Sequence, residues 1–359
     1  MSTSEIKPIT PDEVVFTEAT PHQRELSWRI NSISWSHPLS LEDHLERGAL
    51  LGPRGPERTF YVVHRRGDPE DIICAVDAVG KTALVKAPDA ESPTSVQRVK
   101  AYGVAAVHTN PTYRKQGMAG WMLQKLQEAM DKDSEFSVLY SGIGPDFYAR
   151  YGWDAFPALQ VSLSFLGGEA AAQPTMPAGV KFLSREDIAP LCDKDIAKLT
   201  ARFEEFPGDD GRTRVAFLPT FKQIDWQFER NAFVARKLRH REPENYGAVT
   251  ADGSSWIYWV HEVGKDTLGV LRIVANGPAA VADLLRAALV EAKDWGFERV
   301  VVWNPEGDVE DAVRTMGTED EKVVKIRFEA REGRLPCLRW KGGDHVDVVW
   351  EDNYYYAWC

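Results

Sequence analysis

Between residues 101 and 130 the sequence reads AYGVAAVHTNPTYRKQGMAGWMLQKLQEAM, and its order of residue types suits an anionic ligand. An apolar strand runs into Thr109-Asn110-Pro111, and Tyr113-Arg114-Lys115-Gln116-Gly117-Met118-Ala119 then opens a helix. Met118, Met122, Leu123, Leu126, Ala129 and Met130 give that helix one apolar face. No acidic residue precedes Glu128, so nothing opposes negative charge at the helix start. Free first-turn N–H groups flanked by Arg114 and Lys115 make a pyrophosphate cradle. Gly117 and Ala119 keep the approach to that backbone open. An ordinary strand–turn–helix has the same local pattern, so this stretch alone does not discriminate between the two.

A second block lies at a fixed distance along the chain. Phe136–Tyr140 reads as a strand ending in Ser141-Gly142-Ile143-Gly144, and Pro145 opens a short helix where its missing N–H costs nothing. Within PDFYARYGW, Tyr148 stands four residues before Gly152.

Together the two blocks resemble the GNAT superfamily of acetyltransferases: an R/Q-x-x-G-x-G/A loop after the fourth strand, then a "YxxxGF/W" helix. The resemblance covers roughly residues 10 to 166 and implies acetyl-CoA as cosubstrate. In that family the fourth and fifth strands splay and the pantetheine arm enters between them, a form of strand addition. Carried over, the backbone of Val107, His108 and Thr109 would meet the pantetheine and acetyl carbonyl. Arg114, Lys115, Gln116, Gly117, Met118 and Ala119 would hold the pyrophosphate. Tyr148 matches the tyrosine that protonates the departing thiolate, a step that needs a nearby O–H.

The run LYSGIGPDFYARYGWDAFP, with LPCLRW (335–340) and the ending YYAWC (355–359), looks similar to the fungal lysine N-acetyltransferase group, which carries a large C-terminal extension. That resemblance implies the ε-amine of free L-lysine as acceptor. A more distant one is to Eis-type acetyltransferases, which use their own C-terminal carboxylate as base. Many GNATs place a glutamate on the fourth strand, but that position falls on about Gly103, between Tyr102 and Val104. The base is therefore open between His108, which titrates near neutrality, and the terminal carboxylate of Cys359. Asp225 and Glu229, one turn apart, and the pairs Glu351/Asp352 and Asp344/Asp347 are further places for a cationic amine. The other readings are a protein, toxin or drug-amine acetyltransferase, and a non-catalytic acyl-CoA sensor.

The elements that must position these residues are set by the hydrophobic pattern. Strands are expected at Val14–Glu18, Thr59–Val63, Ile72–Val79, Ala101–Thr109, Phe136–Tyr140 and Leu159–Phe165, with helices at Pro21–Trp35 and Leu41–Leu51. The fold class is α/β (α+β): a mixed, mostly antiparallel GNAT-type sheet with flanking helices. Gly, Ala and Pro dominate LGGEAAAQPTMPAG (166–179), which divides a domain at 1–166 from one at 180–359 through a linker at 167–179. Beyond it come helices at Arg185–Arg202, Thr220–Arg239 and Ala279–Trp295. Strands are expected at Tyr246–Thr250, Trp256–Val263, Thr267–Ala275 and Phe297–Trp303, with strands and an aromatic tail in Val323–Cys359. This second α+β domain echoes the first without a repeat in sequence.

The chain has 359 residues, 43% hydrophobic and 27% charged, the balance of a globular protein of two domains. A net charge of −11 disfavours nucleic acid and favours a small cationic amine. Four scattered cysteines, with no CxxC pair, suit a reducing cytoplasm and give no metal site. No run of about 18 apolar residues is present, so no membrane partner is expected, and the polar N-terminus lacks a signal-peptide core.

Overall fold

The computed structural model describes residues 9–88, 96–167, 172–206, 210–343 and 346–359. The first half runs β1 (Val14–Glu18), α1 (Pro21–Trp35), α2 (Leu41–Leu51), β2 (Arg58–Arg65), β3 (Asp68–Lys86) and β4 (Gln97–Thr109). It continues with α3 (Met118–Met130), β5 (Phe136–Ser141), α4 (Asp146–Ala149), β6 (Asp154–Ala155) and β7 (Leu159–Phe165). Then come β8 (Lys181–Leu183), α5 (Arg185–Glu205), β9 (Thr213–Phe217), α6 (Phe221–Arg239), β10 (Gly247–Val249), β11 (Trp256–Glu262) and β12 (Thr267–Val274). The chain closes with α7 (Pro278–Asp294), β13 (Arg299–Trp303), α8 (Asp308–Glu319), β14 (Val324–Ala330), β15 (Leu335–Trp340) and β16 (Val348–Trp350).

Local chemistry sets the helix starts. Thr20 caps α1: its hydroxyl accepts from Gln23 N at 3.2 Å while the Gln23 side chain accepts from Thr20 N at 3.0 Å. Ser40 and Thr220 cap α2 and α6 the same way, each accepting from the N–H three residues on. The elements expected from the sequence include no helix between 304 and 322. Yet α8 buries Val309, Ala312, Val313 and Met316, a helical stripe behind an acidic first turn.

Two sheets form. Among the described residues the first has nine strands, in the order β1-β2-β3-β4-β5-β15-β6, with β9 pairing the far end of β3 and β16 pairing β9. The second runs β14-β7-β13-β12-β11-β10-β8. Both share one plan: in the first β4 and β5 are parallel and joined through α3, and in the second β12 and β13 are parallel and joined through α7. The expected echo is thus a repeat of topology.

The division of strands differs from a cut at residue 166. Leu159–Phe165 pairs with β13 and β14 in the second sheet, whereas Leu335–Trp340 pairs with β5 and β6 in the first. Each sheet receives from the other half the strand beside its parallel pair. The part of the expected linker at 168–171 lies outside the described residues. Between the sheets lies an aromatic core of Phe136, Phe217, Phe228, Trp256, Tyr258, Trp303, Trp350, Tyr355 and Tyr356. Tyr356 is fully buried and its hydroxyl donates to Phe217 O at 2.7 Å. Tyr356→Ala should therefore cost about 3–5 kcal/mol, read as a lower urea midpoint.

Candidate active site

The strand preceding the cradle is bent by its own register. On β3, Ala75 pairs with His108 but Asp77 pairs with Ala105, so β4 bulges at Ala106 and Val107. Ala106 has φ 52, a conformation that costs an L-residue free energy and occurs mostly where the fold holds it for function. Beyond the bulge β4 leaves β5: the parallel pairing covers only Tyr102–Val104 against Ser137–Leu139. From there to Thr109 and Ser141 the strands diverge, and the other edge of β5 is taken by β15. The backbone of Val107, His108 and Thr109 borders this gap.

At the mouth of the gap stands the turn into α3. Gly117 has φ 79 and caps the helix without a side chain. The first helical bond runs from Trp121 N to Gly117 O at 3.2 Å, so the N–H groups of Met118, Ala119 and Gly120 have no partner inside the helix. A Cβ on Gly117 would meet nothing within 4 Å, so glycine is required here by backbone conformation. Arg114 and Lys115 are exposed beside those groups, and Lys115 also has positive φ. Gln116 accepts from Ile9 N at 2.9 Å and ties the turn to the N-terminal segment. Met118 is buried, so it contributes only its backbone to the turn. Half-buried Ala119 comes next, and then Gly120, which carries no signal in the sequence motif: a Cβ there would lie 1.9 Å from the Tyr151 hydroxyl oxygen. Uncapped N–H groups, two flanking cations and an open approach fit a pyrophosphate.

Tyr148, in α4, packs edge-on against Phe147 with ring centroids 5.0 Å apart and is 8% exposed. Burial raises its hydroxyl to about 12, with Cys337 adding to the effect, so it stays protonated across the physiological range. It shares a core cluster with Met118, Met122, Leu123 and Leu126 of α3.

His108 is a poor base here. Burial lowers it to about 4, helped by Arg114, and neither ring nitrogen has a hydrogen-bond partner. Cys359 reaches β4 further back along the strand, at Gly103. A Cβ on Gly103 would lie 2.6 Å from Cys359 Sγ and 2.7 Å from Lys81 Cε, so the last residue occupies the space where many GNATs carry a glutamate. The tail is held by its carbonyls. Lys81 Nζ donates to Ala357 O at 2.9 Å, Gln223 Nε2 to Trp358 O at 3.0 Å, and Gln227 Nε2 to Tyr356 O at 3.1 Å. Burial lowers Lys81 to about 8, partly offset by Cys359, and burial raises the Cys359 thiol.

Asp77, Lys81, Gly103 and Ala105 share one face, because directly paired antiparallel residues point the same way. Asp77 pairs with Arg58 at 3.1 Å, yet burial raises its carboxyl to about 6. Neither Asp77 nor Lys81 is among the sequence-derived candidates. Their signal is a charged residue inside each apolar run of IICAVDAVGKTALVK. The other acidic candidates are engaged elsewhere. Asp225 and Glu229 bind Arg185 at 2.6 and 2.9 Å, Glu351 binds Arg214 at 2.8 Å, and Asp352 binds Arg272 and Arg202 at 2.6 and 2.7 Å. Asp347 is exposed, and Asp344 lies outside the described residues. Among the described residues no group of three metal-ligating side chains converges.

Residues 167–359 match the family described as the LYC1 GNAT-like C-terminal domain, and residues 51–156 match the acetyltransferase (GNAT) domain. Over 92% of its length the chain is 22% identical to a lysine acetyltransferase of Yarrowia lipolytica, covering 92% of that protein. Its fold is similar to that of a probable N-acyltransferase from Enterococcus faecalis V583 (TM-score 0.56, 13% identity, 91% of this chain and 72% of that one). It is similar too to Eis1 from Mycobacterium abscessus (TM-score 0.50, 13% identity, 91% and 73%) and to a tandem GNAT protein of the clavulanic acid pathway (TM-score 0.50, 12% identity, 93% and 100%). The chain belongs to the GNAT acetyltransferases that carry the LYC1-type C-terminal domain, and it is an acyltransferase of a family that uses acetyl-CoA.

Two measurements test the geometry. Gly117→Val forces a β-branched residue to positive φ, so calorimetry should show acetyl-CoA affinity lost while the protein stays folded, its melting temperature lowered only by the strain of about 1–3 kcal/mol. Asp77 has a raised folded pKa, so its contribution to stability is present below pH 3.8 and lost as pH rises through about 6. Relative to Asp77→Asn, the wild type should lose about 2–3 kcal/mol between pH 4 and pH 7 in urea unfolding.

Proposed function

We propose that this enzyme transfers the acetyl group of acetyl-CoA to the ε-amine of free L-lysine, by direct attack of the amine on the thioester. The observation that carries the reading is the end of the chain lying against Gly103, on the strand that borders the gap. The terminal carboxylate of Cys359 takes the proton of the attacking ammonium, since only the neutral amine is a nucleophile. As the C–S bond breaks, Tyr148 gives its proton to the thiolate, and the second proton of the newly acylated nitrogen returns Tyr148 to its neutral form. Arg114 through Ala119 hold the pyrophosphate, and the backbone from Val107 to Thr109 orients the arm and the thioester.

Three considerations favour a small amino acid over a protein tail. The tail lies against β4 at Gly103, and Ala101 of that strand packs in the aromatic core between the sheets, which narrows access to it. The chain is acidic overall, which suits a cationic amine. The similar protein of Yarrowia lipolytica is named a lysine acetyltransferase. All four cysteines are free, in keeping with a cytoplasmic setting.

Tyr148→Phe keeps the ring and removes the acid. It should lower kcat by about 10²–10⁴ with acetyl-CoA affinity preserved, and a wild-type rate would make Tyr148 a packing residue only. For the tail, Cys359→Ala retains the carboxylate and should stay active. Adding one glycine after Cys359 displaces the carboxylate while every aromatic remains, and should abolish turnover. Full activity in the extended protein would assign the base elsewhere, Asp77 first.

A further inference from the structure

Among the described residues four arginines are buried, and three have carboxylates to match. Arg272 binds Asp195 and Asp352, Arg339 binds Asp131 through two 2.7 Å bonds, and Arg214 binds Glu351. The fourth, Arg331, is 7% exposed, and its Nε, Nη1 and Nη2 all lack a hydrogen-bond partner. Its guanidinium lies 3.7 Å from the centroid of the Trp303 ring, and its backbone N–H is held by Ala158 O at 2.7 Å. Stacking accounts for the plane of the group but leaves its five in-plane donors unused. A buried, unpaired guanidinium is costly unless something else supplies the negative charge.

A second unpartnered group stands by the same tryptophan. The Tyr140 hydroxyl is buried with no hydrogen-bond partner, and its ring centroid is 6.2 Å from that of Trp303. Tyr140 succeeds Leu139, the last β5 residue paired with β4, so it lies at the opening of the gap. Its side chain belongs to the aromatic core between the sheets, the face on which the tail docks. Burial holds the Tyr140 hydroxyl well above its ordinary range; Cys359 and Tyr356 add to this and Arg331 opposes it. The nearby cation Arg334 is already taken, by Glu262 at 2.8 Å and the Tyr355 hydroxyl at 2.8 Å. Arg331 and Trp303 also line a cavity of about 400 Å³. No carboxylate of the chain, its own terminus included, forms an ion pair with Arg331 among the described residues.

We propose that Arg331 and Tyr140 form a carboxylate-binding subsite that receives the α-carboxylate of the amino-acid acceptor. The planar fork of an arginine matches a carboxylate with two parallel N–H···O bonds, and the phenol supplies a third donor. The subsite rests on the reading that a free amino acid is acetylated, and it supplies the reason for choosing one over a bare amine. An amine without a carboxylate would leave the buried guanidinium unpaired in the complex, so selectivity arises from the unmatched charge.

The test compares kcat/KM for L-lysine and for 1,5-diaminopentane, which is lysine without its carboxylate, in wild type, Arg331→Met, Arg331→Lys and Tyr140→Phe. The wild type should favour lysine by on the order of 10²-fold. Arg331→Met keeps an unbranched stem against Trp303 and should bring the two substrates to within a few-fold of each other, through a higher KM for lysine. It should melt no lower than wild type, because an unpaired buried charge is removed. Arg331→Lys, which keeps the charge but not the fork, and Tyr140→Phe should give intermediate ratios. A wild type that turns over both amines equally, or an Arg331→Met protein that keeps the preference, overturns the subsite and leaves the acetyltransfer reading standing. If Arg331→Met melts lower, the Arg331→Lys ratio decides, and a wild-type ratio there overturns the subsite. A wild type that acetylates neither amine while releasing CoA with another acceptor overturns the lysine reading itself.

Discussion

Backbone hydrogen bonding between the two halves of the chain is the constraint on which the rest of this structure depends. A strand edge left unpaired exposes a row of N–H and C=O groups, and each sheet here closes one such edge with a strand from the other half. β15 lies between β5 and β6, and β7 lies between β13 and β14. The exchange ties the halves together through main-chain ladders, which no surface substitution can undo. The two sheets are thereby held at a spacing that an aromatic core fills.

The tail depends on that spacing. Its aromatic rings enter the space between the sheets: Tyr355 stacks on Trp303 at 4.2 Å, and Tyr356 is fully buried. Burying the last turn of a chain strands its carbonyls, which must find donors. Gln223, Gln227 and Lys81 provide them, two from α6 and one from β3. A lysine placed in such a setting is disfavoured by desolvation, which is why burial lowers Lys81 to about 8. Gly103 completes the fit by leaving room for Cys359, since any side chain there would collide with it. The glycine and the terminal cysteine are therefore two sides of one arrangement, 256 positions apart in a chain of 359 residues.

Desolvation gives neighbouring groups different chemistry. The same burial that holds Tyr148 protonated keeps His108 neutral and poorly basic. It also raises Asp77 to about 6 despite the Arg58 partner, which gives that carboxyl an intermediate basicity. Asp225, Glu229, Glu351 and Asp352, which looked suited to an ammonium in sequence, serve instead as counter-ions to arginines.

What the sequence determined by itself was local. The turn from Arg114 to Ala119, the helix behind it, the Tyr148–Gly152 spacing and most strands and helices are set by contacts within a few residues, through periodicity, caps and positive-φ glycines. The two domain families were legible for the same reason, because their motifs are short and ordered along the chain. Only the tertiary structure decided which strand joined which sheet, since a ladder pairs any strand with any edge and carries little of its partner's identity in its own residues. That choice brought Cys359 to Gly103 and to Lys81, and left Arg331 without a carboxylate. These are meetings of residues far apart in sequence, and burial and charge act on them only after the chain has closed on itself.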